Sequence, residues 1–193
     1  VMIRPRPGSF QFSPGECEAM LEDIAHARRA GADGVVIGVL SEDGTVDPYW
    51  TGRLVHAAGE LPVTFHRAID RTPDLAASFE VLAKLGVARV LTSGGAASAL
   101  EGRDVLRRLR QRMGDRIAVL PGGGVRAANV AQIVQATGAG EVHVGFPMEA
   151  PPGRIPQLLP PARGAGQRRE RDEKELVQPE LDRQPVDGTH GPG

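Results

Sequence analysis

Along residues 1–145, short apolar runs alternate with longer stretches whose apolar positions recur at helical spacing, and most of the runs end in polar or glycine-rich segments. The polar ends lie at Met2-Ile3-Arg4-Pro5-Arg6, Val63-Thr64-Phe65-His66-Arg67-Ala68-Ile69-Asp70, Leu91-Thr92-Ser93-Gly94-Gly95, Leu120-Pro121-Gly122-Gly123-Gly124 and Glu141-Val142-His143-Val144-Gly145. Most successive ends are about 25 to 30 residues apart, the pitch of a βα unit. The pattern predicts strands over about 1–5, 34–40, 61–66, 88–92, 117–120 and 141–145, with helices over about 14–30, 47–58, 73–85, 99–113 and 126–136.

The helix starts and stops have a physical basis. Ser13-Pro14-Gly15-Glu16 sets a capping residue before a proline at the first helical position, with an acid in the first turn, and Gly31 ends that helix. Thr72-Pro73-Asp74 and Gly86 repeat the signal. Strands joined through helices by short links pair in parallel with right-handed crossovers.

Strand alternation divides inward from outward residues. If Ile3, Val63, Phe65, Val142 and Val144 face helices, then Arg4, Arg6, Thr64, His66, Glu141 and His143 share the opposite face. An open doubly wound sheet would bury both faces under helices and keep both apolar. Polar residues on one face instead suit a barrel, whose strand ends line a mouth, although about six strands fall short of the eight that a closed (β/α)8 barrel needs.

Composition narrows the function classes. The 193 residues carry a formal charge of −1 with 40% hydrophobic content, so no overall basic field draws a nucleic acid, and five Phe, one Tyr and one Trp leave few stacking platforms for bases. No apolar run approaches the length of about 18 residues that spans a bilayer, and no basic-then-apolar leader is seen, so the expectation is a cytoplasmic protein with neither nucleic-acid nor membrane partners. A single cysteine, Cys17, excludes an internal disulfide. Beyond about residue 146 the periodicity stops and Pro, Gly, Arg, Glu and Gln dominate. The domain is therefore expected at 1–145 and a disordered tail at 146–193, with a short helix around 168–177.

The candidate chemistry gathers at the strand ends. His66, Arg67 and Asp70 are the candidates for catalysis: an imidazole titrates near neutral pH, and a neighbouring carboxylate can orient it. The other reading of His66 is a core histidine satisfied by a backbone carbonyl. Arg4 and Arg6, two apart on one face, can clamp a carboxylate or phosphate, or else pair with a carboxylate such as Glu141. The loops Thr92-Ser93-Gly94 and Gly122-Gly123-Gly124 can cradle an anion with backbone N–H groups, or be tight turns that need glycine. His66 and His143 are the candidate metal ligands. Cys17 reads as a small buried residue, and Glu42, Asp43 and Asp47 as turn formers before a hard-cation site.

Taken together, Met2-Ile3-Arg4-Pro5-Arg6, Gly31-Ala32-Asp33-Gly34, Leu61-Pro62-Val63-Thr64-Phe65-His66-Arg67-Ala68, Arg89-Val90-Leu91-Thr92-Ser93-Gly94, Ala99-Leu100-Glu101-Gly102 and Leu120-Pro121-Gly122-Gly123-Gly124-Val125 resemble the CutC family of copper homeostasis proteins. The resemblance runs from residue 1 to about 144. It implies a TIM-barrel fold, a cytoplasmic location, and copper binding or trafficking, with copper as the ligand. In the family register the strands present are the third to the eighth, so two leading βα units are expected to be absent, and with them the family's cysteine-bearing segments. Two alternatives stand beside this reading. One is a TIM-barrel enzyme acting on a small anionic or phosphorylated metabolite. The other is an inactive fragment, whose exposed strand edges would also permit a homodimer.

Overall fold

In a computed structural model of the chain, residues 1–145 are described, and the expected tail with its short helix lies outside them. The order is α1 (Pro14–Arg29), β1 (Val35–Ile37), α2 (Pro48–Ala58), β2 (Val63–Phe65), a 3₁₀ turn (Arg67–Arg71), α3 (Leu75–Lys84), β3 (Arg89–Thr92), α4 (Arg103–Met113), β4 (Ala118–Pro121) and α5 (Val130–Thr137). This is an α/β fold with one parallel sheet, whose strands lie side by side in chain order, β1-β2-β3-β4. Each crossover contains a helix, as parallel pairing requires.

The two outermost strands expected from the sequence shrink to single parallel bridges, Met2 with Val36 and Gly122 with His143. At the amino end the cause is local. Pro5 and Pro7 have no N–H to continue a ladder, and the Arg4 guanidinium donates to Gly8 O at 2.9 Å, bending the chain back on itself. Two helices also begin later than their hydrophobic pattern. Ala99 N–H bonds Gly123 O, so the 99–102 segment is a turn that delays α4, and Asn129 Oδ1 accepts Arg126 N–H, so a turn precedes α5. The Glu42-Asp43-Gly44 segment is a turn, with Asp43 accepting from Thr45 N at 2.9 Å, and Asp47 caps α2 through Trp50 N.

The start of α1 is fixed twice over. Ser13 and Glu16 form a reciprocal capping box, and Arg6 Nε donates to Glu16 at 2.5 Å. That guanidinium, with the Ser13 backbone N–H, holds the Glu16 carboxyl below its usual range.

Pairing aligns Val36, Thr64, Arg89 and Ala118 in one row across the sheet. That row is half-buried or exposed, whereas the alternating Val35, Ile37, Val63, Phe65 and Val90 are fully buried. The core therefore lies on one face of the sheet, under helix residues such as Ile24, Leu54, Phe79, Leu82 and Leu106.

Phe65 has no solvent exposure and is among the largest side chains in this core. Phe65→Ala is expected to lower the unfolding free energy by about 3–5 kcal/mol in urea denaturation, and Tyr49→Ala, at an exposed position, by about 0.5 kcal/mol or less.

Candidate functional site at the strand ends

The carboxyl ends of β2, β3 and β4 meet at one place, and the residue that joins them is Asp70. Its chain position follows from β2: after Phe65 the backbone enters the 3₁₀ turn Arg67–Arg71, which brings Asp70 over the loop that follows β3. Asp70 Oδ1 accepts from Thr92 Oγ1 at 2.5 Å and from the backbone N–H groups of Ser93 and Gly95, both at 3.1 Å. Oδ2 accepts from Arg67 Nε at 2.8 Å. The carboxylate side chain is 8% exposed, so these bonds replace its water.

Its neighbours are fixed in turn. Thr92 Oγ1 accepts Gly94 N–H at 2.9 Å. Ser93 Oγ accepts from Arg67 Nη2 at 2.9 Å, and its one proton faces two acceptors, Ala96 O at 2.6 Å and Asp70 Oδ2 at 3.1 Å. The Arg67 guanidinium then lies against Gly123, where a Cβ would stand 2.9 Å from Nη1 and φ is +100°. Only glycine suits that position.

This network corrects one sequence expectation. The Thr92-Ser93-Gly94 loop does form a nest of backbone donors, but the anion in it is the chain's own Asp70. The Gly122-Gly123-Gly124 loop is partly committed as well, since Gly122 N–H bonds Thr92 O and the Gly123 and Gly124 carbonyls accept from Ala99 N and Asn129 Nδ2.

His66 is separate from this network. Asp70 does not orient it. Its Nδ1 accepts Ala68 N–H at 3.1 Å, which puts the proton of the neutral ring on Nε2, and Nε2 is buried with no partner among the described residues. The ring packs against Phe65 and against Phe10, whose centroid is 5.0 Å away. Gly38 lies so close that a Cβ there would fall inside the imidazole. Burial, with the positive charge of Arg4 acting in the same direction, pushes the His66 pKa down to about 4.

The proposed arginine pair does not form. Arg6 turns away to Glu16, to Ser9 O at 3.1 Å and to Gln11 O at 2.7 Å, and stacks on Phe12. Neither arginine meets Glu141, which pairs with Arg89 at 3.7 Å. Arg4 stacks on Phe10 at 4.7 Å, and its Nε is buried without a partner among the described residues. It shares a cleft of about 580 Å³ with Arg71, a residue that sequence reasoning passed over. Gly38 was passed over too. Its only signal was a glycine closing the apolar run Val35-Val36-Ile37.

His143 is exposed and pairs with Gly122. Cys17 is fully buried in α1, and burial pushes its thiol up to about 11, so it stays protonated and inert. No group of three or more His, Cys, Asp or Glu placed to hold a metal ion occurs among the described residues, and no helix among them is long and apolar enough to cross a membrane.

Comparison with known proteins gives this geometry a lineage. A family model described as CutC family matches residues 1–147. The chain belongs to the CutC family. It is 49% identical over 143 residues to a CutC family protein of Xanthomonas campestris pv. campestris strain 8004, covering 74% of this chain and 60% of the relative. It is 48% identical, again over 143 residues, to the human copper homeostasis protein cutC homolog, covering 74% of this chain and 52% of the relative. The chain thus spans between half and two-thirds of the length of these CutC relatives. Among solved structures, CutC from Streptococcus agalactiae superposes with a TM-score of 0.71 at 35% identity, covering 74% of this chain and 70% of that one.

Three outcomes follow from the site. Asp70→Asn sets an amide N–H₂ among donors that need an acceptor, and is expected to lower the unfolding free energy by about 2–4 kcal/mol. Arg67→Gln, at a side chain 42% exposed, is expected to lower it by about 1 kcal/mol or less, both read from urea denaturation. His66 binds its proton more weakly folded than unfolded, so its contribution to stability is full above about pH 6.5 and is lost as pH falls toward about 4, by about 3 kcal/mol in all. In a proton NMR titration the His66 ring signals should stay at their neutral positions at pH 5.

Proposed function

We propose that this chain takes part in copper homeostasis, with copper as cargo bound and passed on. Membership of the CutC family carries the reading, supported by relatives that are themselves named copper homeostasis proteins. On the same reading, the sequential parallel sheet and its two flanking bridges are an arc of a TIM-type barrel, consisting of the third to eighth strands in the family register. The strand ends at Asp70 and the glycine loops then belong to the barrel mouth, where this architecture places its chemistry.

The residues distinguish the two imidazoles that the sequence marks as candidate metal ligands, His66 and His143. Reduced copper favours sulfur and then imidazole donors. His66 is a poor donor in this fold, because its Nδ1 lone pair already holds Ala68 N–H and its Nε2 carries the ring proton. Using Nε2 on a metal means moving that proton to Nδ1 and breaking the Ala68 bond inside the core. His143 is exposed beside the Gly122 loop. His143 is therefore the imidazole through which residues 1–145 contact copper.

A Cu(I) competition titration of the full chain against a colorimetric chelator tests this. The wild type should withdraw copper from the chelator, His143→Ala should do so several-fold less well, and His66→Asn, whose side chain can still accept Ala68 N–H, should match the wild type. Loss of copper in His66→Asn with retention in His143→Ala would reverse the assignment. No competition by the wild type would remove copper binding from the reading.

A further inference from the structure

We propose that Arg4 and Arg71 form a binding site for a small oxyanion, a carboxylate or a phosphate ester, in the cleft between the 4–12 loop and the 3₁₀ turn that follows β2. The cleft, about 580 Å³, lies within the range of about 300–1,000 Å³ typical of small-ligand sites. Its wall contains two guanidinium groups and no carboxylate.

That composition is what separates this place from the rest of the molecule. Arg6, Arg53, Arg67, Arg89, Arg107, Arg112 and Arg116 each meet an Asp or Glu among the described residues. Arg4 and Arg71 meet none, as is true of Arg28, Arg29, Arg103, Arg108, Arg110 and Arg126, but Arg4 and Arg71 line one cleft without a carboxylate, whereas the clefts at Arg108 and Arg110 contain Asp or Glu. Two like charges sharing a cleft repel, and an anion between them turns that repulsion into two attractions in a partly desolvated setting. The same is true of hydrogen bonding. Arg4 Nε is buried and unpartnered among the described residues, and an occupant that neutralises the guanidinium offsets that cost.

Arg4 is also held in position before any ligand arrives. Phe10 lies beneath its guanidinium at 4.7 Å, and Gly8 O takes one Nη2 proton at 2.9 Å, leaving the remaining edge to a ligand. The loop that carries it is pinned from both sides. Leu40 N–H bonds Phe10 O, and Gln11 Nε2 donates to Ser41 O and Glu42 O. Arg6, which the sequence suggested as Arg4's partner, fixes this loop instead by holding Ser9 O, Gln11 O and Glu16. Restraint of this kind lowers the ordering entropy that binding otherwise costs, and two planar guanidiniums match the geometry of carboxylate and phosphate oxygens.

The floor of the cleft adds a built-in reporter. Phe10 lines the cavity and packs on the His66 ring at 5.0 Å, and Arg4's charge is already felt by that ring. An anion at Arg4 will therefore move the His66 resonances as well as the amides of the loop.

The test is a ¹⁵N–¹H NMR titration of the full chain with sodium phosphate and, separately, with malonate, each against sodium chloride at matched ionic strength. Saturable shifts are expected at the Gly8, Ser9, Phe10 and Gly44 amides and at the His66 ring. Arg4→Gln and Arg71→Gln should each weaken binding about tenfold or more, while Arg103→Gln on the distant α4 leaves it unchanged. Saturation by phosphate alone assigns a phosphate ester, and by malonate alone a carboxylate. Should Arg4→Gln fail to fold, the exposed Arg71 carries the comparison. Shifts that chloride reproduces, or that persist undiminished in Arg71→Gln, would overturn the proposal.

Discussion

A carboxylate held in a ring of backbone and side-chain donors organises the carboxyl ends of the strands. Asp70 sits 8% exposed where three parallel strands finish, and it satisfies N–H groups of the loop after β3 that would otherwise have no partner. Through Arg67 the same carboxylate reaches the loop after β4, since the guanidinium it orients lies against Gly123. Loops at the ends of parallel strands commonly receive ligand phosphates or carboxylates with their amides. In this chain an internal side chain occupies that role and fills one of the places where an outside anion would bind.

What remains open to ligands lies to the side of this network. His66 is fixed between Gly38, Phe10 and the Ala68 N–H, apart from the Asp70 network. An imidazole buried in its neutral form serves as a wall rather than a proton carrier at neutral pH.

The helices and strands between residues 14 and 137 were legible because they repeat a hydrophobic period that caps and glycines punctuate. Ser13 with Glu16 shows in the structure the capping that its spacing implies, whereas Asp47, read as a turn former, caps α2. The outer strands were not legible as single bridges, because their apolar alternation is genuine and only the turn held by Arg4 and Gly8 ends the first. The polar strand ends were legible as places where side chains and loops meet, and Asp70, Thr92 and Ser93 do meet there. Their pairings were not, because sequence spacing is silent on rotamers and on loops that curl. Arg4 and Arg6 are two apart and alternate as a strand would, yet the chain bends between them and sends one to Glu16. Arg71 had no motif around it, and its place in the cleft follows only from the 3₁₀ turn. Family membership was legible because short strand-end segments, each weak alone, occur together in order.

The claim that Asp70 is the resident anion of the strand ends is tested most directly by native-state amide hydrogen exchange on the full chain. Gly95 is exposed to solvent, and its amide has no strand partner, so a loop of ordinary mobility would exchange it quickly. The account predicts that the Ser93 and Gly95 amides exchange as slowly as those of β3. Exchange of both at the rate of the exposed Gly8 amide would contradict it.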